Sequence, residues 1–293
     1  MGNIINIALG FILLLFYIFK NRGIEKGMAI LYRKAQETGN VSLTSKICNI
    51  FLKNPIRQIF VDYQYLEEHL EVERIPQRVI DAYCDDSLQG YADFKYSKGG
   101  DTIETQQRGL ILPYLEKAIN RTGQDRTLTI VEIGTGNGDV VAYLSDKYPE
   151  HNFIGVDFSV AVAQTKHIKN NLSFKKGYIL DMLESYDLSG DIVFASSTLV
   201  LLLPKELKRL ILKLKENNFS QIVLSEPVWD GYILQNSSQV SSKHMGLTHW
   251  AHNYAGYLLE EAYSIADFNF FHYIHPLSPR PDIYVCVCRG VLA

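Results

Sequence analysis

The chain's 293 residues are 47% apolar and 21% charged with a formal net charge of −3, which excludes a disordered protein, since such chains are more charged and less apolar. Lys and Arg number 29 against 32 Asp and Glu, which argues against holding nucleic acid by summed phosphate neutralisation. Cys48, Cys84, Cys286 and Cys288 are too few and too scattered for a disulfide scaffold, and we read them as reduced, mostly buried thiols.

Residues 4–19 are almost unbroken apolar, interrupted only by Asn6 and Gly10, and they close on Lys20, Arg22 and Lys26. As a helix this run covers roughly 24 Å against a hydrocarbon core of about 30 Å, so it spans if flanking residues join it or the bilayer thins. It lacks the polar face of a core helix, and it lacks the basic start and small-residue cleavage site of a signal peptide. We expect 1–22 to be a single transmembrane anchor, with a buried helix and a cleaved signal as the alternatives. Basic residues lie only on its C-terminal side, Arg33 and Lys34 included, which points the globular part toward the cytoplasm.

Residues 23–100 read as a helical cap, with helices expected at 24–37, 43–52 and 56–70, broken by Thr38-Gly39-Asn40 and Asn54-Pro55. Phe60, Tyr63 and Tyr65 fall at mixed spacing and read as packing. A further helix is expected from about 102 to 120, opening the main domain, 101–293.

From residue 128 the pattern changes. Short apolar runs at 128–133, 152–156, 174–179, 191–195 and 221–225 alternate with amphipathic helices, as βαβ units and a parallel sheet require. The helix after the fourth run shows the logic: Pro204 opens it, and Leu207, Leu210, Ile211 and Leu214 follow at helical spacing. A helix at 254–265 and two final runs, 269–274 and 283–288, complete the chain, the last two as an antiparallel hairpin at the sheet edge. The fold class is therefore α/β, a seven-stranded, mostly parallel sheet with an antiparallel C-terminal hairpin.

The strongest motif is Val131-Glu132-Ile133-Gly134-Thr135-Gly136-Asn137-Gly138-Asp139, where the first strand gives way to a helix. Glycines suit a sharp turn that lets a ligand lie on bare backbone. The spacing is G-x-G-x-G rather than the G-x-G-x-x-G of dinucleotide sites. Glu132 suits a ligand with a positive amino group and would repel a pyrophosphate.

This pattern resembles motif I of the class I S-adenosylmethionine (SAM)-dependent methyltransferases, which have a Rossmann-like fold. The resemblance covers about 102 to 288, and other segments match at the family's positions. It implies that Glu132, Gly134, Gly136 and Gly138 cradle SAM. It further implies that Asp157, with Phe158 beside it, takes the ribose hydroxyls at the tip of the second strand. Asp181 and Met182 would meet the adenine after the third strand, and Ser196, in Ala195-Ser196-Ser197-Thr198, would pass under the methionine moiety. The family's lid makes Tyr91, Phe94, Tyr96 and Gln106 or Gln107 candidates to cover the site.

The insertion after the fifth strand, on the acceptor side in this family, holds Trp229, Asp230, His244, His249, Trp250, His252 and Tyr254. A hydroxyl acceptor needs a base, and a neutral histidine is the usual one near pH 7. His249 and His252 are the preferred catalytic pair, sharing a face if the stretch is helical. A metal site of His244, His249 and His252 completed by Glu226 or Asp230 is an alternative, as are structural hydrogen bonds. The aromatic tetrad of amino-methylating DNA enzymes is absent, its place taken by Ser196-Ser197-Thr198-Leu199. Anchor and insertion together suggest a small-molecule, lipid, quinone or lipid-linked sugar acceptor, with O-methylation favoured. N- or C-methylation, a non-catalytic SAM-binding scaffold and a nicotinamide-dependent oxidoreductase are the rivals.

Overall fold

The computed structural model describes residues 107–123, 125–158, 160–229, 240–246, 249–272 and 283–292. The expected anchor, the helical cap, Tyr91 to Tyr96, Gln106 and Asp230 lie outside them. Among the described residues no helix is long and apolar enough to cross a membrane.

A 3-10 turn, Gln107–Ile111, leads into α1, Leu112–Thr122, so the opening helix starts later than its composition predicts. Pro113 in its first turn is the reason: it lacks an N–H and is tolerated only there. The elements then run β1 (Thr129–Ile133), α2 (Asp139–Lys147), β2 (Asn152–Asp157), α3 (Ala161–Lys166), β3 (Leu172–Lys176), α4 (Ile179–Glu184), β4 (Ile192–Ser196), a second 3-10 turn (Leu199–Leu201) and α5 (Pro204–Glu216). After them come β5 (Gln221–Trp229), β6 (Ser242–Gly246), β7 (His249–His252), α6 (Tyr254–Glu260), β8 (Tyr263–His272) and β9 (Ile283–Leu292).

Seven strands form one sheet in the order β3-β2-β1-β4-β5-β9-β8, the first five parallel and β9 antiparallel to both β5 and β8. The Rossmann-like sheet and its antiparallel C-terminal hairpin agree with the sequence pattern. Central strands are apolar on both faces because helices cover both: Ile130, Val131 and Ile133, Val193 to Ala195, and Ile222 to Leu224 are all buried. Helix α5 buries the predicted Leu207, Leu210, Ile211 and Leu214. Strand order reverses between β1 and β4, and open α/β sheets bind ligands in the crevice at the carboxyl ends beside such a switch point.

Three expectations need correction. The third strand is Leu172–Lys176, not 174–179, because Ile179, Leu180 and Leu183 form the buried stripe of α4 after Gly177 ends the strand. The helix expected at 254–265 stops at Glu260, and residues 263–265 open β8. That strand begins well before residue 269, and an irregularity between Ile265 and Asp267 had masked its alternation. The stretch His249–His252 is a strand, so the condition of helicity under which His249 and His252 would share a face is not met.

Cys286 and Cys288 are free, buried thiols on β9, as expected. Burial pushes Cys288 up to about 12 and raises Cys286 well above the ordinary thiol value, so neither is a reactive thiolate.

Candidate functional site

The turn after β1 is built from glycine's backbone freedom. Gly134, Gly136 and Gly138 all take left-handed φ, at 71°, 54° and 78°. A Cβ on Gly134 would come within 2.1 Å of the Thr198 hydroxyl, and one on Gly138 within 2.9 Å of the Phe174 ring, so strand packing forbids both. Among the described residues, a Cβ on Gly136 meets nothing within 4 Å. The outer two glycines are thus demanded by the protein, and the middle one faces open space at the carboxyl edge of the sheet.

The turn is fixed to β2. Gly134 and Thr135 amides donate to the Val156 carbonyl at 2.8 and 3.1 Å, and the Gly136 amide donates to Asp157 Oδ2 at 2.8 Å. Asp157, half-buried at the tip of β2, therefore sits beside Gly136, as its place in the sequence predicts. Glu132 is buried and accepts from the Thr135 hydroxyl at 2.7 Å. Phe158 stacks on Tyr178, with ring centroids 5.5 Å apart and 18° between planes. The Tyr178 hydroxyl is held by Glu206 at 2.6 Å.

Asp181 follows the third strand, as expected. It lies in the first turn of α4 and is exposed, while Tyr178 occupies the end of the β3 connection beside Phe158. Met182 is half-buried and its methyl reaches toward Gly177. Tyr178 was missed because the misplaced third strand absorbed it. Its signal was an aromatic directly after Gly177.

Ser196 ends β4, in register with Ser225 on β5. Among the described residues, both hydroxyl oxygens are buried without a hydrogen-bond partner. Glu226, next along β5, is wholly buried. Its Oε1 accepts from the Thr198 and Leu199 amides, each at 3.1 Å, and its Oε2 from the Val200 amide at 3.4 Å. Its signal in the sequence was a carboxylate amid the apolar residues of a central strand.

The histidines fare differently from expectation. His252 is 1% exposed, and burial lowers its ring from the ordinary 6.5 to about 3, so it is neutral. Its Nε2 donates to the Leu202 carbonyl at 3.1 Å, which leaves Nδ1 as an acceptor for the Ser242 hydroxyl at 2.7 Å. The Ser242 oxygen in turn accepts from the Tyr257 hydroxyl at 2.7 Å. With both nitrogens committed, His252 is neither a general base nor a metal ligand. His249 begins the same strand, so the helical premise that would have given the two a common face is lost. The side chains of His244 and His249 lie outside the described residues. Among the described residues no group of three His, Cys, Asp or Glu could hold a metal ion, and Glu226 already spends its oxygens on three amides.

Residues 130–217 match the family described as "Methyltransferase domain". The chain carries a methyltransferase domain. No curated protein matches the chain. Solved structures of similar fold include magnesium protoporphyrin IX methyltransferase from Synechocystis PCC 6803, crystallised with bound SAH. It is 16% identical at a TM-score of 0.50, covering 73% of this chain and 98% of that one. A protein from Galdieria sulphuraria, provisionally assigned as a sarcosine dimethylglycine methyltransferase, is 11% identical at 0.52, covering 71% and 98%. The [4+2]-cyclase SpnF is 12% identical at 0.51, covering 74% and 96%. At these identities the likeness concerns the fold, and the same fold serves more than one chemistry.

Two outcomes follow for the methyltransferase domain. Gly136→Ala pays only left-handed strain of about 1 kcal/mol, whereas Gly134→Ala also drives a methyl into Thr198 and is expected to cost at least about twice that in urea unfolding. Burial raises the Glu226 carboxyl from 4.5 to about 7 against the pull of the Leu199, Thr198 and Val200 amides. The native state then holds the proton more tightly than the unfolded chain. That contribution to stability is fully present below pH 4.5 and is lost as the pH rises to about 7, a span of about 3 kcal/mol. Glu226→Gln, which does not titrate, should flatten the unfolding free energy over that window.

Proposed function

We propose that the chain is a SAM-dependent methyltransferase that methylates a hydroxyl of a small, lipid or lipid-linked acceptor and is held at the membrane by residues 4–19, with its catalytic domain on the cytoplasmic side. The observation that carries the cofactor reading is Gly136: left-handed, open to space, and bonded through its amide to Asp157. An ionised carboxylate only accepts, so Asp157 is the type of group that meets two donating ribose hydroxyls. In this reading Glu132, buried beside the turn, meets the ligand's positive amino group. Phe158 and Tyr178 give a flat apolar shelf for a base, and Ser196 Oγ, buried and without a partner among the described residues, is a polar atom for the ligand at the end of β4. The donor and acceptor set fits SAM. When bound, SAM supplies an electrophilic methyl on a sulfonium, which an in-line displacement passes to the acceptor oxygen.

The chain's own task is alignment, water exclusion and proton removal. Since His252 is spent, His249 takes the hydroxyl proton in this reading. A small-molecule acceptor is favoured by the Synechocystis relative, named for a porphyrin, and by the Galdieria assignment to sarcosine and dimethylglycine. The cationic flank after residue 19, Lys20, Arg22 and Lys26, supports a cytoplasmic domain, where SAM is made. Reporters fused to each end of the chain report that orientation directly.

Titration calorimetry of the chain with SAM, with S-adenosylhomocysteine and with NAD tests the cofactor. Micromolar binding of the first two and none of NAD is expected, with Asp157→Ala weakening it by about 1.5–3 kcal/mol through lost charge-assisted hydrogen bonds. A folded chain that binds NAD instead, or neither, contradicts the assignment. Since SpnF carries this fold as a cyclase, a labelled-methyl transfer assay against membrane lipids and glycans must accompany binding.

A further inference from the structure

The loop 197–203 after β4 is held from two sides by side chains that the cofactor reading does not use. On its amino side, Glu226 gathers the amides of Thr198, Leu199 and Val200. On its carboxyl side, His252 takes the Leu202 carbonyl. The segment between them is a single 3-10 turn, Leu199–Leu201, whose N-cap Thr198 makes no side-chain capping bond. So short a turn does not stabilise its own ends, and its leading amides need an outside acceptor. Internally it has the Leu201 amide on Thr198 O and the Leu202 amide on Leu199 O, while the Ser197 amide is tied to Ser225 O on β5. Thr198 is also the residue packed against Gly134, at a distance that leaves no room for a methyl group.

Resting on the reading of the glycine turn as a SAM site, we propose that Glu226 and His252 are positioning residues that press Thr198 onto Gly134 and so set the affinity of the turn for SAM. His252 thereby couples the strand pair after β5 to the cofactor edge. Its partners specify the direction. The Tyr257 hydroxyl donates to Ser242, Ser242 to Nδ1, and Nε2 to Leu202, so every polar atom in the chain is used and the ring is locked in one tautomer. Strand β7 and helix α6, which carry His252 and Tyr257, thus bear on the loop through one imidazole N–H. The histidine serves the reaction through the loop, without touching the acceptor.

The test compares the full chain with His252→Gln, His252→Asn and Glu226→Ala by amide hydrogen exchange of residues 196–203 and by calorimetric Kd for SAM. The Gln amide nitrogen reaches where Nε2 lay and keeps the bond to Leu202, whereas Asn is too short. His252→Asn and Glu226→Ala are expected to speed exchange of the 198–202 amides and to raise the SAM Kd, each by about tenfold, as loss of a buried hydrogen bond implies. His252→Gln should stay within about twofold of wild type in both. A base acting on the acceptor would leave the SAM Kd unchanged in all three. Unchanged exchange in Asn and Ala variants overturns the proposal, as does faster exchange with an unaltered Kd. A wild-type chain with no SAM affinity overturns the cofactor reading and the positioning role together, a result distinct from SAM binding that ignores the substitutions.

Discussion

The carboxyl edge of the sheet depends on one steric constraint: the chain leaving β1 must pass between the Val156 carbonyl and Thr198 in a space that admits no side chain. Gly134 meets that constraint, and two consecutive amides clamp the turn to Val156 O. Once the turn is seated, the Gly136 amide falls on Asp157 and Gly138 leads into α2 against Phe174. A left-handed run of this kind costs L-residues about 1–2 kcal/mol each and glycine little, so the sequence must spell the turn out. The space over Gly136 that the described residues leave open is what remains when the two flanking glycines are consumed by packing.

Around that turn the sheet places ionisable groups where burial, not neighbouring charge, sets their protonation. His252 is neutral because its ring is desolvated, and the Glu226 carboxyl is raised to about 7 because burial outweighs three amide donors. Elsewhere charges are paired: Arg289, 1% exposed, meets Asp267 and Gln221, and Lys117 reaches the same carboxylate. Burial alone would raise the Asp267 carboxyl, but those two cations hold it below the ordinary range. The sheet's amino-terminal edge is thus closed by a paired ion cluster, while its carboxyl edge keeps uncharged or half-titrated groups and the partnerless Ser196 and Ser225 hydroxyls.

Much of this was legible in advance, for identifiable reasons. The glycine turn, Asp157 and α5 announce themselves through local rules: φ above zero, a strand-end acid, apolar spacing after Pro204. The third strand was misplaced because Phe174 to Ile179 is apolar enough to read as either element, and Gly177 decides it. The omission of Tyr178 followed from that single error. The histidine cluster misled for another reason. Spacing shows where a residue lies along the chain, but whether its ring nitrogens are already engaged depends on Leu202 and Ser242, fifty residues upstream and ten upstream respectively. Glu226 drew notice only as a metal-ligand candidate, since its actual partners are backbone amides, which no side-chain motif encodes.

The most direct test is the structure of the chain with S-adenosylhomocysteine bound. The expected result is the ribose hydroxyls on the Asp157 carboxylate, the ligand passing over Gly136, the base beside Phe158 and Tyr178, and Thr198 still in contact with Gly134. A ligand seated away from the turn, or one that reaches it only after loop 197–203 leaves Gly134, would contradict both the site and the constraint on which it is built.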